Sequence, residues 1–417
     1  MKIRALIITM VLVSWPQIIN AQSSFPENFE IRQKYNKIMT APIADILDET
    51  AFVYEQIGSP HRVKFDLKQQ AGSVYFLFLN EMDYKFPVYS RGSYVVKRDE
   101  KTGEFLQVKI FLQSDEGTFL RIYPSHERTF MDIYLRGKML YEGINLSLSF
   151  QDVLKYPFYS LQLNSDSLID WNNLVPQPGR FPERLQNVIS SIAKALPSLG
   201  DAEDGAMDEN GQFVFIESLS DQDEGPGFNC SGFAKWIADG FYKPIWGRLM
   251  NIEGLKTKHL ESRGNTWSRT RENRDPYFGL DWTRNIALTL GSLTGKPDFE
   301  NPEKYDVRDI PFINYVEDVG YSIDDLDFAL YIQAIKDPGN IYWGSVNKEF
   351  GTAPVLRQHI HVAIFIPWFD EDGNYHVEVF ERNHKTSIKS LKSRYEGAFV
   401  HLTYSKVPAD FSLPIVE

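Results

Sequence analysis

The sequence contains a single cysteine, Cys230, among its 417 residues. An exported chain that uses cysteine for folding normally carries an even set that pairs into disulfides. Cys230 therefore has no partner in the chain with which to form a bridge. A lone thiol in an oxidising compartment persists either because it is buried or because it takes part in chemistry. The cysteine count alone leaves both explanations open.

Long apolar runs are also lacking. The run near the start, residues 5–13, follows Lys2 and Arg4 and precedes a small residue at Ala21. This order is typical of a secretory signal peptide, here residues 1–21, and the run is too short to span a bilayer. We therefore expect a periplasmic or secreted protein that makes no stable membrane insertion after signal cleavage.

Clusters of basic residues are missing as well. The chain has 44 Lys and Arg against 56 Asp and Glu, a net charge of −12. The negative net charge would repel a phosphate backbone, so nucleic acid is not an expected partner. The 43% hydrophobic content indicates a globular chain, long enough for about two or three packed cores.

Residues 63–150 contain short β-rich runs separated by turn-forming residues, among them SVYFLFL, FLQVKIFLQ and FMDIYLRG. Runs at this spacing predict an antiparallel sandwich or barrel, which we assign to an all-β domain over residues 22–165. A connector over residues 166–200 follows, with a helical pattern at 182–196. The aromatic residues of the strands could form a glycan-binding face, but sheet packing is their commoner use, and we predict no site there.

The sequence around Cys230 predicts a helix that begins at or near the cysteine. A loop rich in glycine and proline precedes it, and Phe233, Trp236 and Phe241 recur afterwards with helical spacing. The free N–H groups and the positive end of the helix dipole favour a thiolate at this place. The same N–H groups can face the oxygen of a tetrahedral intermediate, so the position suits a nucleophile.

A general base for this thiol is best sought at His361. It lies near the start of the run QHIHVAIFI, whose β-branched and aromatic residues predict a strand. In a regular strand His359 shares a face with His361, which makes a pair of metal ligands conceivable. No further ligand motif accompanies the two histidines, so the base is the favoured interpretation.

A polar side chain that orients His361 is expected on the next strand. The turn sequence DEDGN follows the strand of His361 and predicts an antiparallel hairpin. Folding about that turn places Glu381 and Asn383 opposite the histidine, where either can fix the tautomer of the imidazole. Glu378 or His376 takes this role if the register differs by a few residues.

Two short segments carry a family resemblance. Phe228-Asn-Cys-Ser-Gly-Phe233 resembles the Asp-Cys-Ser-Gly-Phe signature of NlpC-type cell-wall peptidases. His361-Val-Ala-Ile-Phe and Val379-Phe-Glu-Arg-Asn383 resemble elements of the related CHAP amidases. The resemblance to this papain-related cysteine peptidase and amidase superfamily implies that Cys230, His361, Glu381 and Asn383 form the catalytic set.

The resemblance also implies an α+β fold in which a helix that begins with the cysteine packs on an antiparallel sheet. This papain-like domain is expected over residues 201–417. The 131 positions between Cys230 and His361 exceed the usual separation in these families. We therefore expect a large insertion at about residues 261–344, which could shape or cover the groove.

A calcium loop is a weaker expectation. Asp221 and Asp223 stand before the cysteine at the spacing of an Asp-x-Asp calcium loop found in some CHAP domains. Those domains place another acidic residue two positions after the cysteine, where this sequence has Gly232. A polar loop without metal is the favoured interpretation, and no cofactor is required.

Together these features predict an exported cysteine hydrolase that cleaves an amide bond through a thioester on Cys230. By resemblance, the substrate is a peptidoglycan peptide or its link to the glycan. Two alternatives stay open. The chain could be a non-catalytic envelope-binding protein with a structural cysteine, or an acyltransferase or ester hydrolase on the same fold.

Overall fold

The structure is a computed structural model, and it describes residues 25–47, 49–56, 61–176, 183–223, 225–259, 275–293, 301–352 and 355–416. The predicted signal peptide, residues 1–21, lies outside the described residues. No helix within the described ranges is long and apolar enough to cross a membrane. The chain is mixed α and β with antiparallel sheets, which confirms the α+β class expected from the sequence.

The first sheet is an antiparallel meander in which each strand pairs with the next one along the chain. It forms one continuous sheet rather than the two hydrogen-bonded sheets of a sandwich, and its described ladders do not join the first strand to the last. Its strands are β1 Phe52–Tyr54, β2 Val63–Gln70, β3 Ser73–Asn80, β4 Tyr94–Asp99, β5 Phe105–Phe111, β6 Phe119–Ser125, β7 Arg128–Leu135 and β8 Lys138–Leu146.

One face of this sheet is covered by three helices, α1 Phe29–Thr40, α2 Phe150–Lys155 and α3 Phe158–Leu163. Ile31, Tyr35 and Met39 of α1 are buried, since a spacing of four brings them to one side of the helix. The expectation of an all-β domain over residues 22–165 was therefore incomplete. The apolar stripe of α1 is narrow and its other positions are polar, which hid the helix in the sequence.

The second sheet holds the cysteine and histidine segments together. Its strand order is β11-β16-β12-β13-β14-β15, and a separate hairpin of β9 and β10 lies before it in the chain. The strands are β9 Gly205–Met207, β10 Phe213–Phe215, β11 Tyr321–Ser322, β12 Asn340–Phe350, β13 Leu356–Phe369, β14 Tyr375–Glu381, β15 His384–Thr386 and β16 Phe399–Lys406.

The helices of this second part are α4 Glu183–Ala195, α5 Cys230–Trp246, α6 Ile252–Leu255, α7 Phe278–Gly291, α8 Leu326–Lys336 and α9 Ile388–Arg394. Helices α5 and α7 pack together on one face of the second sheet around buried Trp236, Trp282 and Trp343. Helix α8 belongs to the other large core, which continues into the first sheet.

The expected insertion at residues 261–344 is only partly described. Its described parts include α7, α8 and the start of β12, and they contribute buried residues such as Trp282, Ile286 and Leu330 to the two cores. These elements support the second sheet, so they are more than a cover for a groove. Residues 261–274 and 294–300 lie outside the described ranges.

The turn between β13 and β14 is fastened to the first sheet. Arg91 donates from Nη1 to the carbonyl of Asp372 at 2.5 Å, and Gln113 donates from Nε2 to the carbonyl of Gly373 at 3.0 Å. Ser114 donates to Asn374 Oδ1 at 2.7 Å. The first sheet thereby holds one end of the hairpin whose other end carries His361 and Glu381.

Candidate active site

Cys230 is the first residue of α5, a helix of 17 residues. Asn229 caps the helix, because its side-chain Oδ1 accepts from the N–H of Gly232 at 2.7 Å and its carbonyl accepts from Phe233 at 2.9 Å. The first N–H groups of a helix have no carbonyl within the helix to bind. The thiol therefore lies beside free backbone donors and the positive end of the helix dipole.

The loop before the cysteine is held by Gln222, a residue that sequence reasoning missed. Its side chain donates to the carbonyl of Val214 at 2.7 Å and accepts from the N–H of Gly227 at 2.9 Å. Gln222 is buried, whereas Asp221 and Asp223 on either side of it are exposed. In the sequence Gln222 is an amide between two carboxylates in a polar stretch. The two carboxylates suggested a metal loop, so the structural role of the amide was overlooked.

The position two residues after the cysteine has no space for the acidic side chain that CHAP calcium loops place there. A Cβ atom at Gly232 would lie 2.0 Å from the carbonyl oxygen of Gly205, so no acidic side chain can occupy that position without moving β9. Among the described residues, no group of three or more His, Cys, Asp or Glu side chains is arranged to hold a metal ion. Asp221 and Asp223 lie outside the contacts of Cys230.

His361 on β13 connects the thiol to a carboxylate. Its imidazole interacts with the thiol of Cys230 and shifts the pKa of that thiol, and its Nε2 lies 2.6 Å from Glu381 Oε2. Tyr395 stacks on the imidazole at 5.4 Å between centroids and an interplanar angle of 21°, which restricts its rotation.

The electrostatics of this trio favour a charged thiolate and imidazolium. Burial alone would raise the pKa of the Cys230 thiol, but the hydrogen bond and charge of His361 bring that pKa below its ordinary value. Burial alone would lower the pKa of His361, but the hydrogen bonds of Cys230 and Glu381 raise it to about 9. The proton of the thiol is thus best placed on the imidazole.

Glu381 is equipped to stay ionised. Its side chain is 5% exposed, and Arg394 pairs with its second carboxylate oxygen. Burial alone would raise the pKa of Glu381, but hydrogen bonds from His361 and Arg394 lower it. An ionised carboxylate at Nε2 orients the ring and stabilises its protonated form.

Asn383 supports the site from a different place. It lies in the β14–β15 turn with φ of 67°, a left-handed conformation that Asn tolerates better than most residues. Its amide donates to the carbonyl of Gly200 at 2.6 Å, and its Oδ1 has no hydrogen-bond partner among the described residues. The same carbonyl accepts from Phe228 at 3.0 Å. Asn383 therefore joins the hairpin to the cysteine loop and does not contact the imidazole.

The two alternative orienting residues also have other partners. Glu378 forms an ion pair with Lys385 at 2.7 Å. His376 lies 2.9 Å from Asp370 and stacks on Trp368. Of the four candidates for this role, the structure brings Glu381 to the ring of the histidine.

Strand β13 contains a bulge between His359 and His361. His361 pairs with Val346 and His359 with Asn347, which leaves Ile360 as the extra residue. Nδ1 of His359 lies 2.8 Å from Ser345 Oγ, and burial lowers the pKa of His359 well below its ordinary value. His359 therefore lies beside the same cavity with its Nδ1 engaged by Ser345, whereas Nε2 of His361 is engaged by Glu381.

A cavity of about 420 Å³ opens beside the trio. Cys230 and His361 line it, together with the apolar side chains of Phe278 and Ile360. Charged side chains at Asp204 and Lys256, among others, complete the wall. The cavity gives the sulfur access to an acyl group larger than a single small side chain.

Comparison with known proteins reaches only the first part of the chain. Residues 21–173 match a family model described as a domain of unknown function, DUF8515. No curated protein and no solved structure matches the chain. The matched segment contains the first sheet and helices α1 to α3 and ends before Cys230. The interpretation of the site therefore depends on its own geometry.

Proposed function

We propose that the chain is a cysteine hydrolase in which Cys230 is the nucleophile, His361 the base and Glu381 the residue that orients the base. One observation carries the proposal. A partly buried thiol at a helix N-terminus has its pKa lowered by an imidazole, and Nε2 of that imidazole binds a buried carboxylate. Covalent acyl transfer requires a nucleophile next to a base, and a third group next to that base that orients it.

The reaction takes place in two steps. The Cys230 thiolate attacks the carbonyl carbon of an amide, and the imidazolium of His361 gives its proton to the departing amine as the carbon–nitrogen bond breaks. A thioester on the sulfur remains. His361 then takes a proton from water, the resulting hydroxide attacks the thioester, and the acid leaves as the thiolate re-forms.

The first turn of α5 supplies an oxyanion hole for both steps. The N–H of Gly232 is already bound by Asn229, whereas the N–H groups of Cys230 and Ser231 have no carbonyl within the helix to bind. Donors fixed in this way stabilise the oxygen of the tetrahedral intermediate, because no reorganisation is needed when its charge develops.

The substrate class follows from the resemblance to NlpC and CHAP enzymes. We propose a peptidoglycan stem peptide, cleaved as an endopeptidase or at its link to the glycan, by a papain-like domain exported to the periplasm or beyond. The cavity of about 420 Å³ is consistent with a peptide acyl group. Its charged and apolar walls suit a substrate that carries both kinds of group.

The test is turnover of purified muropeptides by the mature chain, followed by mass spectrometry. We expect products that have gained one water, none from Cys230→Ala, and normal turnover from Glu378→Gln. An added amine that appears in the product would indicate acyl transfer in place of hydrolysis. Turnover that survives Cys230→Ala would contradict the proposal. Absence of turnover together with an inert thiol would favour the envelope-binding alternative.

A further inference from the structure

The first sheet has a second face that none of its own helices covers. Helices α1 to α3 pack on the opposite face, and the apolar cluster on this side is formed by residues of the sheet and by Phe86 of the β3–β4 loop. A solvated face of an antiparallel sheet normally alternates to polar residues. Here the rows on this face carry rings and cations, most of them half-buried. We call this surface the open face and define it by Tyr75, Lys97, Lys109, Phe119, Arg121 and Tyr134.

The cations of the open face lie unusually close together. Lys109 is directly opposite Arg121, and Lys97 is a diagonal neighbour of Lys109. Like charges in such positions destabilise a sheet. Arg121 has Asp132 at 3.5 Å, but in the part of the chain that the structure describes no carboxylate lies within ion-pair distance of Lys97 or Lys109. Burial, then Arg121 and Lys97, lower the pKa of Lys109.

Aromatic rings accompany these cations. The Nζ atom of Lys97 lies 5.6 Å from the ring centroid of Tyr75, and that of Lys109 lies 4.0 Å from the centroid of Phe119. Tyr134 stacks on Phe119 at 4.7 Å between centroids. Tyr75 and Tyr134 are only half-buried, so each retains exposed ring surface, and that of Tyr75 lies next to Lys97.

Two carboxylates accompany the cations of the open face. Asp66 on β2 is paired with Lys64 and Lys68, and Asp132 on β7 is paired with Arg121. Lys68 lies directly opposite Tyr75, so cations extend across this face from β2 to β6 on a chain of net charge −12. Cations interleaved with rings complement an anionic polymer, and a membrane surface is the competing occupant that the vesicle titration tests.

We propose that the open face binds a carboxylated glycan, with sugar carboxylates on Lys97, Lys109 and Arg121 and apolar sugar faces on the rings of Tyr75 and Tyr134. The cations distinguish an anionic glycan from a neutral one. The rings distinguish a sugar chain from an acidic polypeptide, because the C–H face of a sugar ring packs on an aromatic surface. This site does not depend on the chemistry of Cys230.

The test is calorimetric titration of the mature chain with polygalacturonate, neutral dextran, poly-L-glutamate and vesicles containing anionic lipid. We expect polygalacturonate to bind more tightly than the other three. The variant Lys97→Gln/Lys109→Gln should weaken that binding about tenfold or more, since two charge-assisted contacts are lost. The matched control Lys101→Gln/Lys194→Gln removes two exposed lysines elsewhere and should bind as the wild type does.

A further variant, Tyr75→Thr, keeps a strand-forming residue and removes one ring. It should weaken binding of polygalacturonate without changing the weak binding of poly-L-glutamate. The proposal is overturned if polygalacturonate fails to bind, if poly-L-glutamate or the vesicles bind as tightly, or if the Lys97→Gln/Lys109→Gln variant binds unchanged. The Cys230→Ala variant should bind normally, which separates this site from the hydrolase.

Discussion

Replacing Glu381 with glutamine should remove the buried negative charge beside the imidazole of His361 while preserving the shape of the side chain. The carboxylate lies 2.6 Å from Nε2 of His361, and the two side chains are 5% and 10% exposed. An ionised partner at this distance raises the pKa of a base by about one to three units. We therefore expect the pKa of His361 to fall from about 9 to about 7, a change worth on the order of 3 kcal/mol.

The lower pKa of His361 should also change the titration of the Cys230 thiol, because the imidazole and the thiol share a proton. Cys230 is the only cysteine, so the ultraviolet absorbance of its thiolate can be titrated without interference from a second thiol. In Glu381→Gln the apparent thiol pKa should rise towards its ordinary range. The thiolate present near neutral pH should fall by about tenfold to a hundredfold.

The matched control is Glu378→Gln, the same substitution on the same strand. Glu378 pairs with Lys385, so its loss should leave the thiol titration within about twofold of the wild type, as for an exposed ion pair. Equal titrations for Glu381→Gln and the wild type would refute the orienting role. If Glu378→Gln changed the titration more than Glu381→Gln did, Glu378 and not Glu381 would be the residue that orients His361.

Three further predictions concern the support of the site. Asn383→Gly keeps the left-handed turn but removes the hydrogen bond to Gly200, so the free energy of unfolding in urea should fall by about 1 kcal/mol. An unchanged free energy of unfolding would contradict a stabilising role for this hydrogen bond. Gly232→Ala should cost about 2 kcal/mol or more in the same assay, because the added methyl meets the backbone of β9. Burial alone would raise the pKa of Asp306, but His401 and Arg284 lower it. A carboxyl group with a lowered pKa stabilises the fold at pH values above its ordinary pKa, and this stabilisation is lost as the pH falls. The free energy of unfolding of Asp306→Asn should therefore decrease less steeply than that of the wild type between about pH 5 and 2. An unchanged slope would contradict this.

Local patterns were sufficient for the parts of the site that are close in sequence. The helical spacing after Cys230, the β-branched run around His361 and the turn between the two strands each depend on neighbours a few residues apart. The hairpin register also follows from the turn, and Ile364 pairs with Phe380 as that register requires. Extending this pairing places His361 beside the end of β14, where Glu381 lies.

Features that depend on distant residues could not be predicted in the same way. The bulge at Ile360 interrupts the pairing of β12 with β13 between the two histidines, and alternation alone does not predict it. The contact of Asn383 with Gly200 joins residues 183 positions apart. The structural role of α7 was also hidden, because the long separation between nucleophile and base suggested an insertion. In each case tertiary packing decides, and a single sequence contains no direct signal for it.

The most direct test of the central claim is the rate at which a thiol-specific alkylating reagent labels the mature chain from about pH 4 to 9, with the wild type compared to His361→Ala. Burial alone would raise the pKa of Cys230, but the imidazole of His361 lowers it, so the wild type should be labelled at a lower pH than an ordinary thiol. His361→Ala should lose this reactivity at acidic and neutral pH. A thiol that is inert in both proteins, or that reacts with the same pH profile in both, would contradict the pairing of Cys230 with His361.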